Sequence, residues 1–198
     1  MPSLTLTLDG NILATVCCDG FDVVTARISG IRVEDDFSNL GVTGGCYPDG
    51  GESTYLTWVN ELPLQPGQRV GVTLLQDGAT SHPGKTIDEL FPDEDPTTTP
   101  DDFKPTDEMF EELRRRPNLR DGYAFQYHSI LGTSYAGRTS AEEHGFGFTV
   151  LWNSHRPEQV SVSLNSYTID SIEQRTPGHD HVREYLQVGQ SLTVEIDA

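Results

Sequence analysis

Leu4, Leu6 and Leu8 alternate with Ser3, Thr5 and Thr7 at the start of the chain, the two-residue period of a strand with one face on a core. Asp9-Gly10-Asn11 is a hairpin turn signal, and ILATVCC follows it as the returning strand. Further β-branched runs come in DVVTARISGIRV, TYLTWVNEL and QRVGVTLLQDG. The first is stopped by Glu34, Asp35 and Asp36, and the last two are joined through PLQPG. The glycine-rich GVTGGCYPDGGES between them reads as a connection. Residues 1–85 are thus expected to form about five strands and no helix.

Residues 86–121 differ in kind. Thr86 stands three residues before Glu89, the spacing of a capping box, which predicts a short helical turn over IDELF before Pro92. A longer helix is expected in TDEMFEELRRRP. Thr106 caps it, Asp107 and Glu108 occupy its first turn, and Arg114, Arg115 and Arg116 its last, so both charge groups complement the helix dipole. Met109, Phe110 and Leu113 share a face that should dock on a sheet. Between the two helices, LFPDEDPTTTPDDF holds five carboxylates, three prolines and no base. Such a segment cannot build a core and belongs on the surface as a connector.

From residue 122 the strand pattern returns in YAFQYHSIL, GFGFTVLWN, QVSVSLNSYTIDSI and SLTVEI, with GTSYAGRTSAEEHG as a loop. LQPGQRVGV at 64–72 and LQVGQSLTV at 186–194 share L-Q-x-G-Q-x-φ-x-V, where φ is apolar, at an offset of 122 residues. That echo reads either as a degenerate repeat or as one turn chemistry used twice. The expected fold is mainly β: antiparallel, β-sandwich-like halves at 1–85 and 122–198, joined by an acidic, proline-rich connector at 86–121 with one or two short helices. The pattern leaves open whether the halves share one core.

Charge changes the picture. The chain holds 31 acids against 13 bases, a formal net charge of −18, and residues 86–121 alone carry 12 acids and 5 bases. Such a field disfavours nucleic acid and anionic membrane as partners. It favours a basic protein, or it serves solvation alone. Cys17, Cys18 and Cys46 are odd in number with two adjacent, which is no disulfide framework; they read as packing residues in a reducing compartment. The start is not signal-like and no apolar run reaches spanning length, so the expected location is the cytoplasm.

Candidate chemistry is sparse. There is no phosphate-cradling loop or dinucleotide fingerprint, GTSYAG around Ser134 lacks the spacing of a nucleophile elbow, and His128 and His155 read as ordinary polar residues. Trp58 and Trp152 sit in strand patterns and are expected as core anchors. In TPGHDHVREYLQVG, His179 and His181 fall on one side of a strand with Glu184 close behind, which makes three metal-ligand types. The pair resembles the His-x-His opening of the cupins, jelly-roll metalloproteins. Only Val182 and Arg183 separate His181 from Glu184, however, and Gly189 closes the motif too early for that family. The acidic stretch has prolines where a calcium loop needs glycine. No cofactor is expected.

The opening LTLDGNILATV, then TYLTW, then LPLQPGQRVGVTLLQDG with its exit at SHPG, together resemble a loose group of small bacterial β proteins of unassigned function over residues 4–84. The resemblance implies a compact antiparallel β domain and carries over no catalytic residue. Composition favours an acidic intracellular binding protein of the immunity or antitoxin type, without an active site, that blocks the groove of a basic toxin or nuclease-like enzyme. Its partner-binding carboxylates are expected to be Asp93, Glu94, Asp95, Asp101 and Asp102, with Phe91 and Phe103 as apolar anchors beside them. The alternatives are a β-barrel metal-dependent enzyme using His179, His181 and Glu184, and a phage or host structural module.

Overall fold

Strand alternation in the sequence becomes twelve antiparallel strands in the computed structural model, which describes residues 1–93 and 105–198. β1 (Ser3–Leu8) and β2 (Asn11–Cys17) form the opening hairpin. Asp9 and Gly10, at φ 50° and 82°, make the two-residue turn whose handedness matches the twist of the strands. β3 (Val23–Ile31), β4 (Ser38–Cys46) and β5 (Thr54–Leu64) build part of a second sheet, and β6 (Arg69–Leu75) returns to the first. After α1 (Ile87–Leu90) and α2 (Asp107–Arg115), β7 (Ala124–Ser129) and β8 (Ser134–Arg138) join the first sheet. β9 (Gly145–Asn153), β10 (Gln159–Tyr167) and β11 (His179–Gln187) complete the second, and β12 (Ser191–Asp197) closes the first. α3 (Ile169–Glu173) links β10 to β11.

The sheet orders are β2-β1-β6-β12-β7-β8 and β11-β10-β9-β3-β4-β5. Each half of the chain therefore gives three strands to each sheet, in the same sequence of crossings. The halves meet along two central pairs, β6 with β12 and β3 with β9. Gly71 stands opposite Thr193 in one, and Arg27 opposite Thr149 in the other. Both pairs are 122 residues apart, the offset of the L-Q-x-G-Q echo, as a two-fold relation between the halves requires. The irregularities agree as well: one ladder slips between Val42 and Thr43, the other between Leu164 and Asn165.

The two sheets pack face to face over a single apolar cluster drawn from both halves. Trp152, Tyr123, Tyr127, Phe125, Phe146 and Phe148 are its largest fully buried side chains, and Trp58 lies at its edge, 8% exposed. Full burial of a side chain of this class stabilises by about 1.5–3 kcal/mol.

Several elements depart from expectation. β4 occupies the stretch read as a glycine-rich connection, because Leu40 and Val42 supply an inward face and β3 and β5 pair with it on both sides. β8 arises from SYAGR, an edge strand of partly exposed residues held by β7. IDSI leaves the sheet as α3, since the Thr168 side chain accepts from Ser171 N–H at 3.0 Å and starts a helix there. The expected capping box of Thr86 and Glu89 is present, and Thr106 caps α2. α2 buries Phe110 but leaves Met109 38% exposed, and it leans on α3, where Arg114 reaches Asp170 at 2.7 Å and also Glu173. No helix among the described residues is long and apolar enough to cross a membrane.

Candidate functional site

The outer face of the second sheet is concave. Val24, Ala26, Ile28, Leu40 and Val42 point to the core, so Thr25, Arg27, Ser29, Gly41 and Thr43 face outward. Most of these side chains are short, and large ones rise only at the rim. Tyr47 folds back over Gly45, Tyr55 stands beside it, and Ile87 and Phe91 form a wall from α1. The result is a groove of about 650 Å³. α1 is held there by paired backbone bonds between Thr57 and Lys85, at 2.8 and 2.9 Å. The Thr86 box then turns the chain into the helix, with Thr86 N–H donating to Glu89 Oε2 at 2.8 Å.

Tyr47, Tyr55, Ile87 and Phe91 remain 54%, 50%, 61% and 39% exposed, an arrangement typical of surfaces that another molecule covers. The rim is negative, around the exposed Arg27 in the groove. Asp49 and Glu52 lie in the turn between the two tyrosines, Glu61 lines the groove, Asp88 and Glu89 sit on α1, and Asp93 follows it, all exposed. Of the expected partner-binding residues, Phe91 lines the groove and Asp93 is exposed two positions on. Glu94, Asp95, Asp101, Asp102 and Phe103 lie outside the described residues.

A second cluster forms at the opposite edge of the same sheet. In the β10–β11 ladder Val182 pairs with Leu164 and Asp180 with Asn165, so His181 is the extra residue of a bulge. His179, next along, stands opposite the fully buried Ser166. The carboxylate that meets them is Glu143, from the connection between β8 and β9: ligand atoms of Glu143, His179 and His181 all lie within 4.8 Å of one another. Glu143 Oε1 is 3.3 Å from His179 Nδ1 and accepts from Ser166 Oγ at 2.5 Å. Ser166 Oγ is 2.8 Å from His181 Nε2, and Tyr135 Oη is 2.7 Å from His181 Nδ1.

The connection that carries Glu143 is firmly anchored. Arg32, 3% exposed, donates through Nη2 to Ser140 O at 2.8 Å and through Nη1 to Ala141 O at 2.9 Å, and its backbone N–H reaches His144 O at 2.8 Å. Ser140 N–H donates to Glu143 Oε2 at 2.6 Å. Burial would raise the Glu143 carboxyl, but the Ser166 hydroxyl, the Ser140 N–H and the two histidines outweigh it and hold it below its ordinary value. Burial, with His179 adding to it, pushes His181 down, so its ring is neutral near pH 7.

The expected trio of His179, His181 and Glu184 is not the one the fold assembles. Beyond the bulge Glu184 lies between the inward Val182 and Leu186, where Tyr127 Oη donates to it and Ser129 Oγ approaches at 3.4 Å. Glu143 escaped sequence reading because it sits in an aperiodic connection and the bulge leaves no mark in composition. The acidic pair in SAEEHG was its only local signal. Comparison of the chain with protein-family models, with curated proteins and with solved structures finds no match in any of the three.

Proposed function

We propose that the chain is an acidic binding module that captures a basic protein, of the toxin or nuclease-like class, in the manner of an immunity or antitoxin-type inhibitor. The groove rim at Tyr47, Tyr55, Ile87 and Phe91 is its docking face. The observation that carries this reading is the coincidence of exposed large side chains with an acidic rim, at the point where the most acidic segment of the chain departs. Apolar anchors inside a like-charged surround give a partner both a steering field and a place to lodge.

Seven of the thirteen bases are engaged within the protein, while Arg27 stands exposed in the groove itself. Arg69, Arg114, Arg115, Arg116 and Arg183 pair with its own carboxylates. Arg32 and Arg120 are spent on backbone carbonyls. With 31 acids against 13 bases the formal net charge is −18, and electrostatic steering of a cationic partner should speed capture on the order of 10-fold or more at low salt.

The test is a pull-down at low and high salt with three baits. One is the wild type, one carries Tyr55→Ser with Phe91→Ser, and one has Asp93, Glu94, Asp95, Asp101 and Asp102 changed to Asn or Gln. The expected result is one stoichiometric basic protein, released by salt and lost from both variants, whose own activity the wild-type chain inhibits. Equal capture by all three baits, or a captured protein whose activity is untouched, contradicts the proposal.

A further inference from the structure

We propose that Glu143, His179 and His181 form a site for a divalent transition metal, with Zn²⁺ as the ion their chemistry fits. Two imidazoles and one carboxylate are donors that zinc accepts in three-ligand sites, with a fourth position left to water; calcium and magnesium prefer all-oxygen sets. Donors about 2.1 Å from a tetrahedral ion lie about 3.4 Å apart. Glu143 Oε1 and His179 Nδ1 are already 3.3 Å apart, and all three ligand atoms fall within 4.8 Å.

The neighbours of these residues aim the right atoms inward. His181 is held at both nitrogens, with Tyr135 Oη 2.7 Å from Nδ1 and Ser166 Oγ 2.8 Å from Nε2; an ion bound at Nε2 would place the ring proton on Nδ1, where Tyr135 Oη can accept it. The Ser140 N–H holds Glu143 Oε2, while Oε1 accepts from Ser166 Oγ, a hydroxyl whose place a bound ion would take. The His179 side chain is 66% exposed, which supplies an entry path and an open coordination position.

The other half of the molecule shows that the fold does not require this polar corner. There Val59 pairs with Val42 and Thr57 with Thr43, so Trp58 is the bulged residue, and Leu56 stands opposite Gly44 as His179 stands opposite Ser166. That corner is filled by Trp58 edge-on to Phe21 at 5.3 Å, with Leu56 beside them. One bulge therefore holds an apolar plug, while its counterpart gathers two histidines, a carboxylate, a serine and a tyrosine. Tyr135 comes from β8 and His181 from β11, the edge strands of the two sheets. A bound ion would tie the β8–β9 connection to β11 and close the sandwich at that corner, away from the groove.

Untagged protein, stripped with a chelator, is titrated with Zn²⁺ against a chromogenic competitor at neutral pH, as wild type, His179→Ala, Glu143→Gln, Tyr135→Phe and His155→Ala. Wild type and His155→Ala should bind one equivalent and gain thermal stability from it. His179→Ala, at an exposed position that spares the fold, should weaken binding about 100-fold or more, and so should Glu143→Gln; Tyr135→Phe should weaken it by about 10–100-fold. Absence of stoichiometric uptake by the wild type overturns the site. So does uptake unchanged in His179→Ala, which would assign the ion to other groups such as the Cys17 and Cys46 thiols.

Discussion

Arg120 illustrates how single residues hold the loops. Its guanidinium donates to the carbonyls of Ile31, Glu34, Asp35 and Asp36 and to Tyr123 Oη, at 2.9–3.2 Å. It thereby ties down the acidic turn after β3. Truncation leaves those carbonyls without their shared donor, so Arg120→Ala should destabilise by about 2 kcal/mol in denaturant unfolding, and Arg120→Lys should restore little, because a compact ammonium cannot span the set. Cys18 makes a second case. It is fully buried, and burial, with Cys17 beside it, pushes its thiol up to about 12. Native protein should therefore react with a thiol reagent at Cys17 and Cys46, both partly exposed, and at Cys18 only after denaturant is added. A third fast thiol in the native state would contradict that packing. Of the three cysteines read as packing residues only Cys18 is buried; the two tryptophans were legible as core residues because strand context decides their burial. Glu143 was not, because its role depends on a bulge and on contacts distant in sequence.

At the scale of elements, what could be read was what is local. Thr86 and Thr106 announce α1 and α2 through capping spacings that act within one turn. β4 could not be read, since glycine is a poor strand former and the strand exists only because two neighbours pair with it. Its glycines now give predictions of opposite sign. A Cβ on Gly44 would lie 3.0 Å from the Trp58 ring and 3.2 Å from Val23 O, whereas one on Gly41 would meet only Val59 O at 3.8 Å. Gly44→Ala should therefore lower stability by about 1–3 kcal/mol and shift Trp58 fluorescence. Gly41→Ala should be neutral or stabilising by about 0.5–1 kcal/mol, through the lost entropy of the unfolded glycine. Matching effects at the two sites in chemical denaturation would contradict this assignment of inner and outer faces to β4.

Across the whole molecule the halves are inseparable, because both sheets run through the junction. Removing residues 122–198 would uncover β3 and β6 and take away part of the shared core cluster. Residues 1–85 alone should show no cooperative transition, while the full chain unfolds with coincident fluorescence and circular dichroism changes. The echo at 64–72 and 186–194 hinted at this relation, but sequence could not show that its 122-residue offset also sets the central strand register. Charge is the other whole-molecule property, and it carries the functional claim. The most direct measurement is the association rate with the captured basic partner, by stopped flow, between about 0.02 M and about 0.3 M salt. Steering by the acidic field predicts a fall of about 10-fold or more in that rate, with Phe91→Ser leaving the rate nearly unchanged and speeding dissociation instead. An association rate indifferent to salt would contradict capture by that field.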